Sequence, residues 1–387
     1  MRIFVYIIQI FVGVLFIVSG LVKANDPLGL SYKMQEFFEL WNGELANGHF
    51  FLKNGLIAFF SFLHGQSLGL SVFMITLEIV AGAALLIGWR RNFILGLLLV
   101  LIVFFTFLTG YAYLSGKFTN CGCFGDCIPI TPQTSFIKDL VLLAMILVLV
   151  AGRKHLTPAL TTKTRSLVLA SSLLASLALQ VYVLNYLPVA DCLPFKVQNN
   201  IAAQMKPPPG SVTDSFAIRF VYEKEGKQYE FAPENLPADF DTYKFIDRTD
   251  KLVRKGNAEP AIKGLALNGV TGEDSTQMIL SQPQAVLVFA QHLQTADWMN
   301  DFKDVVEAAK NKGIPVYFAS PSLTDARALL QKNNVAGVQC FSCDFTVVRT
   351  AARTDPTIYI LKQGTIENKY GRREFDAAVS HLSSLKF

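Results

Sequence analysis

The apolar pattern changes character along the chain. Before residue 190 apolar residues run in long blocks, and after it they alternate with polar ones in short stretches. A helix that crosses a bilayer needs about 20 mostly apolar residues. Five blocks approach or exceed that length: 3–22, 68–88, 93–114, 135–152 and 166–187. The second carries one acid near its middle, Glu78, and the fourth is polar only near its start, at Lys138 and Asp139. The apolar stretch 55–63 is too short to cross and predicts an interfacial or tucked-in helix. Arg2, the first apolar run and Val22-Lys23-Ala24 mimic the three parts of a signal peptide. The run is longer than the roughly 7–15 residues of a signal core, so it predicts a retained span.

Beyond the spans, residues 191–255 read as a connector. Pro207-Pro208-Pro209-Gly210 makes a stiff, extended spacer. The stretches 216–222 and 227–231 alternate as a β-hairpin does around Gly226. From about residue 258 strands and helices take turns: strands at 285–290, 314–320, 357–361 and 365–370, helices at 297–311, 323–332 and 375–385. The expected organisation is therefore a helical membrane bundle over 1–190, a connector over 191–255, and an α/β domain over 256–387.

Charge adds orientation. The 387 residues hold 35 Lys and Arg against 30 Asp and Glu, a net +5, and mean hydropathy is +0.36. No Lys/Arg-dense face with interleaved aromatics is present, so the lipid bilayer is an expected partner and nucleic acid is not. Short loops rich in Lys and Arg stay in the cytoplasm. Arg2, the pair Arg90 and Arg91, and the group Arg153, Lys154, Lys163 and Arg165 agree on one orientation. The N-terminus lies inside, loops 23–67 and 115–134 lie outside, and an odd number of spans carries the C-terminal domain outside.

That orientation puts all six cysteines in the outer compartment. Cys121, Cys123 and Cys127 fall in the second outer loop, Cys192 follows the last span, and Cys340 and Cys343 fall in the C-terminal domain. An oxidising compartment permits disulfides. In Asn120-Cys121-Gly122-Cys123-Phe124-Gly125-Asp126-Cys127, two cysteines one residue apart close a small, strained ring that is easily reduced. Such a pair suits exchange, with one thiolate attacking and the other resolving, and Cys127 or Cys192 is the next partner of a relay. Two other readings stay open. One is a structural bridge from Cys121 or Cys123 to Cys127 or Cys192. The other is a four-sulfur metal site, against which stand the C-x-C spacing and the absence of a nearby His.

Glu78 is costly in mid-membrane, and such acids face a bundle interior or a water-filled cavity. It reads equally as a proton relay to a thiol or quinone and as a structural hydrogen bond to Thr106, Thr109 or Gln9.

Residues 1–155 resemble the DoxX/MauE group of small membrane proteins. The resemblance rests on Ser19-Gly20-Leu21-Val22-Lys23-Ala24-Asn25-Asp26-Pro27, Leu77-Glu78-Ile79-Val80-Ala81-Gly82, Gly88-Trp89-Arg90-Arg91 and Asn120-Cys121-Gly122-Cys123-Phe124-Gly125. It implies a link to maturation of disulfide-rich periplasmic proteins, from the MauE side, and to quinone-linked redox, from the DoxX side. A quinone is thus the cofactor the resemblance implies, and a periplasmic thiol or disulfide protein the partner.

The C-terminal order of elements resembles the thioredoxin fold. Asp355-Pro356-Thr357 is similar to its cis-proline turn, and residues 261–269 are similar to the leading hairpin of TlpA- and peroxiredoxin-like relatives. One departure is plain. Where that family places C-x-x-C after its first core strand, this chain reads Gln291-His292-Leu293-Gln294-Thr295-Ala296. A C-x-x-C does occur about 50 residues later, Cys340-Phe341-Ser342-Cys343, as a relocated site, a local bridge or two unpaired thiols.

Two functions are consistent with these residues. One is an inner-membrane thiol–disulfide or quinone-linked redox protein using Cys121, Cys123, Cys127, Cys192, Cys340, Cys343 and Glu78. The other is a non-catalytic scaffold whose degenerate thioredoxin-like domain binds partners and whose cysteines are structural.

Overall fold

The computed structural model describes residues 2–48, 51–118, 125, 127–128, 130–156, 160–237, 239–254, 256–294 and 297–385. Cys121 and Cys123 lie outside the described residues. Five helices are long and apolar enough to cross a membrane: α1 (Arg2–Ala24), α4 (Ser67–Leu86), α5 (Arg91–Ser115), α6 (Pro132–Ala151) and α7 (Thr162–Asn185). Between α1 and α4 lie α2 (Pro27–Asn47) and α3 (Lys53–Gly65). The short helix expected at 55–63 is α3, and α2 is a helix where the sequence predicts only an outer loop. Its start is set locally: Asp26 accepts a hydrogen bond from the Gly29 amide at 3.0 Å, and Pro27 sits at the first helical position.

Close approach of backbones organises the bundle. Hydrocarbon gives no hydrophobic drive between helices, so small residues that let them touch decide the pairing. A Cβ on Gly82 would lie 2.8 Å from the Gly13 carbonyl oxygen, and one on Gly20 would lie 2.5 Å from the Ile79 side chain. The α1–α4 pair therefore depends on glycine at these crossings. In addition α5 lies along α6, and α7 packs on α4, where Gln180 donates to Thr76 Oγ1 at 3.0 Å.

After a single helical turn, α8 (Ile201–Gln204), comes an antiparallel three-stranded sheet of β1 (Ser215–Lys224), β2 (Lys227–Phe231) and β3 (Lys244–Arg254), in the order β2-β1-β3. The expected hairpin is β1–β2. The third strand goes beyond that hairpin: its mixture of charged and apolar residues follows no period, and its pairing with β1 is long-range. Then follow α9 (Thr276–Leu280), β4 (Ala285–Phe289), α10 (Met299–Asn311), β5 (Val316–Ser320), α11 (Leu323–Lys332), β6 (Val338–Ser342), α12 (Phe345–Ala351), β7 (Thr357–Lys362), β8 (Thr365–Tyr370) and α13 (Phe375–Ser384).

The second sheet runs β6-β5-β4-β7-β8, with β4, β5 and β6 parallel and β7 and β8 antiparallel to their neighbours. Strand alternation splits its core into two layers. Val286 and Val288 face α10, α11 and α13, while Leu287 and Phe289 face α9, α12 and two residues from far upstream, Phe195 and Ile201. The segment read as connector is thus partly core: Phe195 stacks edge-on against Phe289 and Tyr359. Residues 261–269 form no strand, only isolated bridges from Asn268 to Asp274 and Ser342, so the expected leading hairpin is absent from the described residues. The Asp355–Pro356 peptide bond is cis.

Candidate functional site

The crossing of α1 and α4 brings three polar side chains together inside the bundle. Ser19 and Lys23, one turn apart on α1, face Glu78 of α4. Lys23 Nζ lies 2.5 Å from Glu78 Oε1 and Ser19 Oγ lies 3.3 Å from Oε2. Both charged groups are buried. A buried ion is tolerated only when paired and hydrogen-bonded, and Lys23 also stands 4.9 Å above the Phe105 ring. None of the structural partners expected for Glu78 is used. Gln9 donates instead to the Leu85 carbonyl at 2.7 Å, and Thr109 Oγ1 bonds Asp139 at 3.0 Å.

Asp139 makes the second ionic group, paired with Lys138 at 2.6 Å. Between the two groups lies a small pocket of about 70 Å³. Its polar wall is Ser19, Lys23, Glu78, Thr109, Lys138 and Asp139, and its apolar wall includes Phe16, Phe104, Phe105 and Leu142. Leu30, Lys33, Met34 and Phe37 of α2 close another side. A mostly apolar cavity with a few convergent polar groups is the usual form of a small-molecule site.

The cysteine loop reaches the same end of α1. Cys127 forms a disulfide with Cys192, so these two sulfurs engage each other, and neither the bridge to Cys121 or Cys123 nor a four-sulfur metal site is formed from them. Asn25 Nδ2 lies 3.8 Å from Cys127 Sγ and 2.8 Å from the Ala190 carbonyl oxygen, while Asn25 Oδ1 accepts from the Ala190 amide at 2.8 Å. A Cβ on Gly125 would lie 3.7 Å from the Val22 carbonyl oxygen. The loop's described end is therefore pinned to residues 22 and 25, on either side of Lys23 in sequence.

Cys340 and Cys343 are free and are not brought together. On a strand, positions three apart point to opposite faces. Cys340 packs in the layer under α10 and α11, next to Phe318 in register, and Cys343 packs in the layer under α12. Burial raises the pKa of Cys340, and burial followed by the charge of Asp344 pushes Cys343 up to about 12. Neither is the activated thiolate that exchange requires.

At the place of the missing thiols, Asp355 accepts from the Gln291 amide at 2.8 Å and the His292 amide at 2.6 Å, and it pairs with His292 Nδ1 at 2.8 Å. Gln291 Oε1 accepts from Tyr32 Oη of α2 at 3.1 Å. Arg349 stacks on the Tyr32 ring at 3.8 Å and donates to Gln35, and Arg353 pairs with Asp26 at 2.9 Å. The α/β body is thereby seated on α2.

Sequence reading singled out Glu78 and the cysteines but missed Lys23, Asp139, Arg349 and Arg353 as a set. The signal for Lys23 was its spacing of four from Ser19. Nothing local marked the arginines.

Comparison with known proteins agrees with a chain in distinct parts. No curated protein and no solved structure matches. A family model described as Domain of unknown function DUF8463 matches residues 216–255, the three-stranded sheet. Residues 1–152, which hold the ion pairs, the pocket and the cysteine loop, match the family model described as Methylamine utilisation protein MauE, and this part of the chain is similar to that family.

Proposed function

We propose that this membrane protein is a redox protein that exchanges thiols and disulfides at Cys121-Gly122-Cys123. The observation that carries the reading is the Cys127–Cys192 bridge. It engages both alternative partners of the C-x-C pair and stands beside Asn25 at the end of α1, near Lys23. In the step proposed, a client thiolate attacks one sulfur of the Cys121–Cys123 disulfide. A mixed disulfide forms and the other cysteine leaves as thiolate. A second client thiolate then attacks the client sulfur, which yields a client disulfide and the reduced pair. The reverse sequence reduces a client.

The lining of the pocket suits the head group of the quinone that the family resemblance implies, because its walls are largely apolar and aromatic while Lys23 and Lys138 supply hydrogen-bond donors. A bound quinone supplies an acceptor for two electrons and two protons. Glu78 and Asp139, paired with Lys23 and Lys138, stand next to that site. The strand order and the Lys/Arg distribution support a thioredoxin-like C-terminal body outside a bacterial inner membrane. The matched family's description ties the reading to methylamine utilisation, and the client we infer is an exported, disulfide-bearing protein of that process.

The test is gel-shift alkylation across a dithiol/disulfide buffer series on wild type, Cys121→Ser and Cys123→Ser. The Cys121–Cys123 pair opens under mild reductant while Cys127–Cys192 persists, and Cys123→Ser captures a mixed disulfide. Should the pair stay oxidised below about −300 mV, the range of structural disulfides, and neither variant capture a partner, the redox reading is lost. The second reading, a scaffold, would then replace it. Two observations favour that alternative: Cys340, partly buried, and Cys343, buried, lie on opposite faces of the α/β body, and its Gln291 is already engaged by Tyr32 of α2.

A further inference from the structure

Helix α2 has two working faces. Leu30, Lys33, Met34 and Phe37, spaced 3, 4 and 7 from the first, line the bundle pocket. Tyr32 and Gln35, with Asp26 at the helix start, hold the α/β body. The helix is therefore sandwiched between the pocket and Arg349 and Arg353, both of which are buried. Gln35 joins the two sides: it accepts from Arg349 and donates to Ser67 at the start of α4 at 2.7 Å. The ring contacts that hold α2 to the bundle gather toward its second half, where Phe37, Phe38 and Trp41 pack on Phe60, Tyr111 and Phe118.

We propose that α2 is a lid on the bundle pocket and that the α/β body, through Arg349 and Arg353, clamps it shut. Guanidinium groups suit the task, since a planar cation stacks on the Tyr32 ring and bonds a carboxylate or amide at its edge. Release of the clamp frees the first half of α2 to move off the pocket and opens it to the compartment where the α/β body lies. This goes beyond the redox reading and does not depend on it, because access is read whatever the pocket holds.

The experiment uses the full chain in nanodiscs and acetic anhydride as the probe, with acetylation of each lysine read by mass spectrometry. Lys23 lines the pocket and Lys310 on α10 is an exposed reference. The double variant Arg349→Ala/Arg353→Ala is compared with Tyr32→Ala, which removes the stacking ring from the lid side and keeps both arginines. In both, Lys23 acetylation rises about tenfold through local opening while Lys310 is unchanged. Hydrogen exchange of the α12 amides is followed in the same samples. Lys23 acetylation unchanged in both variants overturns the proposal: with α12 exchange raised the clamp is off and the pocket still closed, and with α12 exchange unchanged the arginine contacts are no clamp.

Discussion

Lys23 on α1 and Glu78 on α4 meet at 2.5 Å, 55 residues apart in sequence, inside a bundle where neither charge is exposed. Each makes the other tolerable. Removing one partner strands the second as an uncompensated buried ion, which costs about 3–5 kcal/mol, whereas replacing both with apolar groups of similar size is far milder. Lys23→Met and Glu78→Met should therefore each lower the thermal midpoint in detergent strongly, and the double variant should lie nearer wild type than either. Simple additivity of the two losses would show that the pair does not interact.

The α1–α4 crossing sets that geometry, and Gly82 is its tightest point against backbone. A Cβ there would fall 2.8 Å from the Gly13 carbonyl oxygen, which cannot rotate away. Gly82→Ala is expected to destabilise by ~1–3 kcal/mol through overpacking. At Gly96 nothing lies within 4 Å of the added methyl, so Gly96→Ala should be neutral or slightly stabilising. Thermal unfolding of the two variants side by side tests the contrast.

The thiols of the α/β body should be inert. With the Cys343 pKa moved from 9.0 to about 12, its thiolate fraction at pH 8 falls about a thousandfold below that of an ordinary thiol. Iodoacetamide should leave Cys343 unmodified in the folded protein at pH 8 and label both Cys340 and Cys343 after non-reducing denaturation. A missing second label would reveal a bridge between them.

His292 should titrate above its ordinary 6.5, because its hydrogen bond to Asp355 favours the charged ring over the opposing effect of burial. The sign follows. A folded-state pKa above the unfolded one gives stability that is fully present below about pH 6.5 and is lost as pH rises through the higher folded value. The His292 ring signal followed by NMR should shift its midpoint downward in Asp355→Asn. An unmoved midpoint would mean that Asp355 is not the cause.

Orientation is testable with reporter fusions. Junctions after Arg91 and Lys163 should report cytoplasm, and junctions after Lys117 and Gly210 should report the opposite side, as the Lys/Arg distribution requires. A cytoplasmic signal at Gly210 would remove the oxidising compartment on which the proposed chemistry depends.

The sequence by itself determined the elements whose signal is local. Five apolar blocks of bilayer length became α1, α4, α5, α6 and α7, since hydrocarbon demands that each span satisfy its own backbone. The alternating stretches at 216–222 and 227–231 became β1 and β2, and the buried runs near 285 and 314 became β4 and β5. Glu78 was legible as a site because an acid among apolar residues is conspicuous. Its partner was not, because a lysine at the end of a span looks like any terminal anchor until two helices cross. The same holds for Cys127 and Cys192, for Phe195 in a stretch that reads as connector, and for Arg349 and Arg353, whose partners Gln35 and Asp26 lie more than 300 residues upstream. Propensity and period act over a few residues, whereas pairing of buried charges, sulfurs and rings is decided by which surfaces the folded chain brings into contact, and only the tertiary structure contains that.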